Sequence, residues 1–446
     1  MINAAENTQA YAEQFERSEK SRSGRGAARL LPLRKAAIAR FADLGFPTTQ
    51  HEDWRYTNVR PLADTPFRPA AKNRELTLED LHPFLFGGDA VYRLVFVNGF
   101  FAREMSNRHM LVAGLEAFSL AKALEGNGTA IRPHLGRHAD YREQAFTALN
   151  TAFLHDGVFV HVARGKVVRP LIHVIYVTTA PAQPTVTHPR NLIVADANSQ
   201  LTVVESYVGL GVGRYFTNAV TEIVVGEEAR VDHYKVQRES RDAFHIHGLN
   251  VCQHRRSNFS AHSVSLGGLL TRNNVHVRLD GEGGEATLNG LSMLSGRQHV
   301  DDHLRVEHLK RHCDSREYYK NILDQRSRAV FTGRIYVAKD AQKTDGKQTN
   351  MNLLLSEDAL VNTKPQLEIF ADDVKCTHGA TIGQIDADAL FYLRTRGVPE
   401  DAARSLLVHA FAGEAIDRIR IDSLREHLHH ELFARLPRGR ELKGVI

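Results

Sequence analysis

Cysteine, tryptophan and methionine are scarce in this chain, at three, one and five residues of 446. Cys252, Cys313 and Cys376 are too few and too scattered for a disulfide framework, which points to a reducing compartment. Long apolar runs are missing too. No stretch approaches the ~18 residues that span a bilayer, and the opening segment carries Glu6, Glu13, Glu16 and Lys20 where a secretory signal would be apolar. Nor is there an excess of charge. The 57 basic and 52 acidic side chains leave +5, well mixed along the chain, and make no case for nucleic acid or a membrane surface as partner. Together these absences predict a cytoplasmic protein.

Catalytic signatures are absent as well. The nearest approach to a phosphate-binding G-x-x-x-x-G-K-[ST] loop is Gly346-Lys347, but Gln348 follows it and Ala341 stands where the first glycine belongs, so no ATP site is expected in this chain. There is no G-x-S-x-G elbow and no H-E-x-x-H helix. The acid pairs Asp301-Asp302 and Asp372-Asp373 read as solvated turns. No feature of the sequence predicts an enzyme.

Three zones are predicted. Residues 1–150 are mainly helical, with an apolar stripe of Leu30, Leu33, Ala37, Phe41 and Leu44. Pro32 is expected in the first turn, Gly24 and Gly26 in a flexible lead-in, and Gly45 and Pro47 at the stop. His51-Glu52-Asp53-Trp54-Arg55-Tyr56-Thr57 follows, and Val91–Val97 is strand-like. Residues 151–383 read as strand after strand. The first apolar residues after successive turns, Leu201, Ala229, Phe259 and Ala286, are spaced by 28, 30 and 27 residues. That period without intervening helices suggests stacked β-coils; the alternative is an antiparallel sandwich with evenly spaced hairpins. Residues 384–446 form a helical domain. Asp386 caps a helix bearing Leu390, Phe391 and Leu393; Pro399 opens one with Leu406, Leu407 and Phe411; Ser423 caps the last. These helices have enough apolar face to bind a partner.

Histidine is abundant, at 24 residues, many of them between His233 and His312. In Cys376-Thr377-His378 a strand would project Cys376 and His378 from one face, ~6–7 Å apart. A thiolate and an imidazole suit iron or zinc, but two ligands leave the site incomplete without a partner. A buried cysteine beside a hydrogen-bonded histidine is the plainer alternative. Cys252 and His254, near His245, His247 and His262, form a second candidate, for zinc, although no closed zinc spacing is present. His312 and Cys313 are adjacent and would face opposite ways.

The stretch Cys376-Thr377-His378-Gly379-Ala380-Thr381-Ile382-Gly383, then Leu390-Phe391-Tyr392-Leu393 and Arg396-Gly397-Val398, resembles the SufB/SufD family. So do Ser315-Arg316-Glu317-Tyr318-Tyr319-Lys320, Phe331-Thr332-Gly333-Arg334-Ile335 and Ala341-Gln342-Lys343-Thr344 upstream. The resemblance implies a mainly β protein: a right-handed parallel β-helix flanked by N-terminal and C-terminal helical regions. It also implies a scaffold for iron–sulfur cluster assembly, non-catalytic alone, working with SufB and two copies of the ATPase SufC. Residues 51–57 are similar to the SufD branch. Near Asn350, where the SufB branch is expected to carry a cysteine, this chain has no thiol. The resemblance implies His378 as a ligand to a nascent cluster held transiently at the SufB–SufD interface, with Cys376 a weaker candidate. It suggests a SufC-docking surface at Leu390, Phe391, Leu406, Leu407 and Phe411; a homodimer is a further possibility. A β-helix polysaccharide-active enzyme and a free-standing zinc protein are the rival readings.

Overall fold

The computed structural model describes residues 4–20, 22, 24–73, 75–87, 91–107, 112–126, 129–179 and 182–439. Its centre is a parallel β-solenoid of about seven turns built from two long sheets. Each coil contributes one strand to each sheet. Tyr215–Val225, Phe244–Gln253, Leu270–Leu279, His299–His308, Arg328–Val337 and Leu360–Ile369 stack in the first sheet. Gln200–Leu210, Arg230–Arg238, Asn258–Ser265, Glu285–Leu294, Asp314–Leu323, Asp345–Leu354 and Lys375–Gly383 stack in the second. All these neighbours pair in parallel, which removes the antiparallel sandwich.

Register shows how the sequence period becomes a stack. Along the second sheet Leu201, Val231, Phe259, Ala286, Ser315, Gly346 and Cys376 are successive ladder partners, separated by 30, 28, 27, 29, 31 and 30 residues. The sequence placed the second of these at Ala229. That residue lies in the turn, two positions early, so the face is right and the coil boundary is not.

Each passage from the first sheet to the second turns a tight corner. At six of these corners a residue adopts positive φ: Asn198, Glu228, Arg256, Gly283, His312 and Lys343. Non-glycine residues seldom take this conformation, and here the stack repays it. The amide of each donates to the next coil's corner carbonyl, on Glu227, Arg255, Glu282, Arg311, Gln342 and Asp373, over 2.7–3.1 Å. His312 is thus exposed at a corner while Cys313 is fully buried.

The two faces of each strand meet different surroundings. Inward residues such as Leu201, Val203, Ile223, Val251, Phe259 and Leu288 form the lumenal core. The outer face of the first sheet is covered by Ala4–Lys20, Arg25–Leu44 and Ala145–Ala152, with Phe41, Phe46 and Phe146 against Phe216 and Phe244. Burying each such aromatic contributes about 1.5–3 kcal/mol. The Arg25–Leu44 helix starts earlier than its apolar stripe suggests, so Pro32 lies inside it and Gly26 within it rather than in a lead-in. The outer face of the second sheet is covered by Glu400–Ile416 and Asp422–Arg435. Val408, Ala412, Ile416, Leu424 and Leu428 pack there on Val204, Tyr234, Val236 and Ile322. The C-terminal helices therefore spend most of their apolar surface on the solenoid's own flank.

Asp301 and Asp302 correct the solvated-turn reading: both lie on a strand and are buried. Asp301 faces outward to Arg272 and Thr57, and Asp302 faces inward to Asn273. Asp372 and Asp373 do lie in an exposed turn.

A buried ion pair between adjacent strands of the first sheet anchors the N-terminal region, through hydrogen bonds between that region and both partners. Arg190 and Glu222 are both fully buried, 2.7 Å apart, and Glu222 also accepts from the amides of Gly136 and His138. Removing one partner leaves a buried charge uncompensated. Glu222→Ala is expected to cost about 3–5 kcal/mol in urea denaturation; a loss below ~1 kcal/mol would show that the pair is not a structural tie.

Candidate functional site

The two ends of the solenoid differ. At the N-terminal end Phe100–Phe101 pairs antiparallel with Val91–Val97, and Leu115–Ser119 with Val158–Val162, which closes both sheets with non-parallel strands. At the other end Leu360–Ile369 and Lys375–Gly383 each pair on one side only. The Lys375–Gly383 strand is exposed along nearly its whole length, and Ile382 is half accessible. Two bare strand edges therefore lie side by side, with unpaired amides and carbonyls.

His378 and Cys376 sit on this last strand. They are the ladder partners of Gln348 and Gly346, so both belong to the inner row, as the two-residue spacing predicts. Cys376 packs beside Ile335, Val337 and Ala341, and its Sγ would lie 3.5 Å from a Cβ placed on Gly346. Burial pushes its thiol up, which disfavours the thiolate needed to bind metal. His378 is exposed. Among the described residues no three His, Cys, Asp or Glu side chains gather as a metal centre.

The second candidate does not assemble. Cys252 faces outward on Phe244–Gln253, while His245 and His247 face inward, because an odd separation along a strand reverses the face. His247 instead approaches Glu205 within 3.7 Å, His245 lies 2.7 Å from Glu239, and His262 stacks on Tyr234 under the C-terminal helices. Most of these histidines are buried, not exposed strand groups. Sequence reasoning missed this polar interior. It includes His233 bonded to Glu205 at 3.1 Å, and Lys235, whose ammonium burial lowers to about 8. In Val231-Asp232-His233-Tyr234-Lys235 each of the two alternating sets mixes polar and apolar residues, so neither is marked as the inward one.

Just below the open end, Gln348 donates to Glu317 over 2.6 Å, and burial pushes the Glu317 carboxyl up to about 8. Asn350 is also buried there and accepts from Asn352. Of the five proposed docking residues, Phe391 is 68% exposed on the Ala387–Thr395 helix, beside the exposed Tyr392. Leu390, Leu406, Leu407 and Phe411 are half-buried; Leu406 packs near Phe433, and Phe411 lies under the Lys320 ammonium.

Comparison with known proteins matches this architecture to one family. The model for "SUF system FeS cluster assembly, SufBD core domain" matches residues 176–411, and that for "SufBD protein N-terminal region" matches residues 5–174. The chain is 35% identical over 407 residues to an iron–sulfur cluster assembly SufBD family protein of Synechocystis, covering 90% of this chain and 89% of that one. It is 33% identical over 401 residues to the iron–sulfur cluster assembly protein SufD of Escherichia coli, covering 89% and 90%.

The buried Glu317 makes a pH prediction. Its carboxyl titrates at about 8 in the folded chain against an ordinary 4.5, so the folded state holds an extra proton between those values. That contribution to stability is fully present below pH ~4.5 and is lost as pH rises through about 8. Glu317→Gln abolishes the titration. Its urea stability should fall less than the wild type's between about pH 5 and 8; equal slopes would contradict the assignment.

Proposed function

The chain belongs to the SufBD family of iron–sulfur cluster assembly proteins, and on that premise we propose that it is a SufD-type scaffold subunit. It pairs with SufB at the open end of the solenoid and holds a nascent cluster there, while the ATPase SufC drives the assembly. The observation that carries this reading is the uncovered last coil, which presents His378 between two bare strand edges. A parallel edge is a template for another strand, and a second solenoid of similar cross-section is the partner that would satisfy both edges together.

The cluster is the cargo. Iron accepts imidazole nitrogen as well as thiolate, and one histidine cannot hold a cluster alone, so the thiolates come from SufB. Cys376 is the weaker ligand because its packing against Ile335 and Ala341 favours the neutral thiol. The chain itself carries out no bond-making step: it contributes a ligand and a surface. It acts in the reducing cytoplasm, where cysteine ligands stay reduced.

SufC docking is assigned to the Ala387–Thr395 helix, which has no buried residue and leaves Phe391 and Tyr392 in solvent. Leu390, Leu406, Leu407 and Phe411, all half-buried, are the remaining residues of that proposed surface. Without SufB, two copies of this chain have the same edges to offer each other, so a homodimer is the competing assembly.

His378→Ala should leave circular dichroism and SufB binding unchanged while cluster-dependent enzymes in cells lose activity; full activity would refute the ligand role. Phe391→Asp tests docking more cleanly than truncation, which would strip the flank of its helices. It should retain SufB and weaken SufC capture by about tenfold or more, the scale of a central interface residue; undiminished capture would move the docking site elsewhere.

A further inference from the structure

Beneath His378 the solenoid holds two buried polar side chains that the stacking of coils does not require. His378 is the ladder partner of Gln348, and Gln348 of Glu317, so the three form one column of the inner row, its strands ~4.8 Å apart. Gln348 and Glu317 are each 2% exposed. Nε2 of Gln348 donates to Oε2 of Glu317, which turns the amide carbonyl away from that bond. Oε1 of Gln348 is buried with no hydrogen-bond partner, as is Oε1 of Glu317. Buried polar atoms left unpaired are costly and uncommon.

The opposite sheet makes room for the pair. Gly333 faces it, and a Cβ there would come within 2.1 Å of Gln348 Nε2. Below Glu317 the column turns apolar at Leu288 and Ala261. This polar run therefore leads from Glu317 up to the open end.

We infer that Gln348 is a positioning residue for His378: its carbonyl accepts the imidazole N–H, fixes which ring nitrogen stays free, and is itself held in place by Glu317. The inference rests on the proposed ligand role of His378. An imidazole that binds metal presents one unprotonated nitrogen and commonly donates its other N–H to a carbonyl or carboxylate, which sets the tautomer and ring orientation. Gln348 supplies that acceptor one coil below, as the ladder partner of His378. Burial keeps Glu317 neutral near physiological pH, so the column steadies the ring without setting a negative charge beneath the cargo.

Long-range proton–nitrogen spectra of the full-length chain, labelled at histidine and assigned with His378→Gln, read the tautomer directly. The wild type should show one tautomer of His378. Gln348→Met, which loses the acceptor, should show a mixture, and Gln348→Glu, which keeps one, should restore the single form. In the assembled complex, reconstituted with ferrous iron and sulfide without oxygen, Gln348→Met should release its cluster on the order of tenfold faster. An unchanged tautomer in Gln348→Met overturns the inference and leaves the ligand role of His378 standing. Normal assembly by His378→Ala overturns that role and the inference with it. Should Gln348→Met fail to fold, the wild-type spectrum decides, since an even mixture of tautomers contradicts a fixed ring.

Discussion

Backbone hydrogen bonding between successive parallel coils is the constraint on which the rest of this molecule depends. Every strand of the solenoid needs one neighbour above and one below, and every inner residue must fit the residues stacked on it. The corners obey the same rule: Asn198, Glu228, Arg256, His312 and Lys343 accept an unfavourable backbone conformation because each then bonds to the next coil. A stack of this kind has no internal reason to stop. The N-terminal end stops at antiparallel strands. The other end stops at Leu360–Ile369 and Lys375–Gly383 with its ladder incomplete.

The helices follow from the same geometry. A two-sheet solenoid has two outer faces, and each is apolar enough to need cover. The N-terminal helices take one, through Phe41 and Phe146, and the C-terminal pair takes the other, through Val408 and Leu428. Neither adds a strand to the open end, where the N-terminal region makes an ion pair from Glu52 to Lys364 on Leu360–Ile369. The bare pair of edges and the Ala387–Thr395 helix, which buries none of its residues, are left uncovered.

Much of this was legible in the sequence. The spacing of Leu201, Phe259 and Ala286 carries the coil, since each is the first inward residue after a corner, and Cys376 and His378 share a face because strands alternate. The Ala229 assignment slipped by two residues because a corner residue and the first strand residue are both small or apolar, and only the ladder distinguishes them. Cys252 seemed to join His245 and His247 because strand limits were unknown; once the strand is placed, parity separates them. Gln348 and Glu317 were invisible for a different reason. Their meeting depends on the register between two coils 31 residues apart, and nothing local to either residue encodes it. Helical periodicity likewise showed which faces of the C-terminal helices are apolar, and could not show that the solenoid's own flank consumes most of that surface.

Hydrogen–deuterium exchange on the full-length chain, alone and mixed with SufB, tests the central claim most directly. Unpaired edge amides exchange freely, and pairing with another strand protects them. The account predicts that SufB slows exchange in Leu360–Ile369 and Lys375–Gly383, around His378, and leaves the covered flanks as they were. Protection confined to a flank, with both terminal strands exchanging as fast as in the free chain, would contradict it.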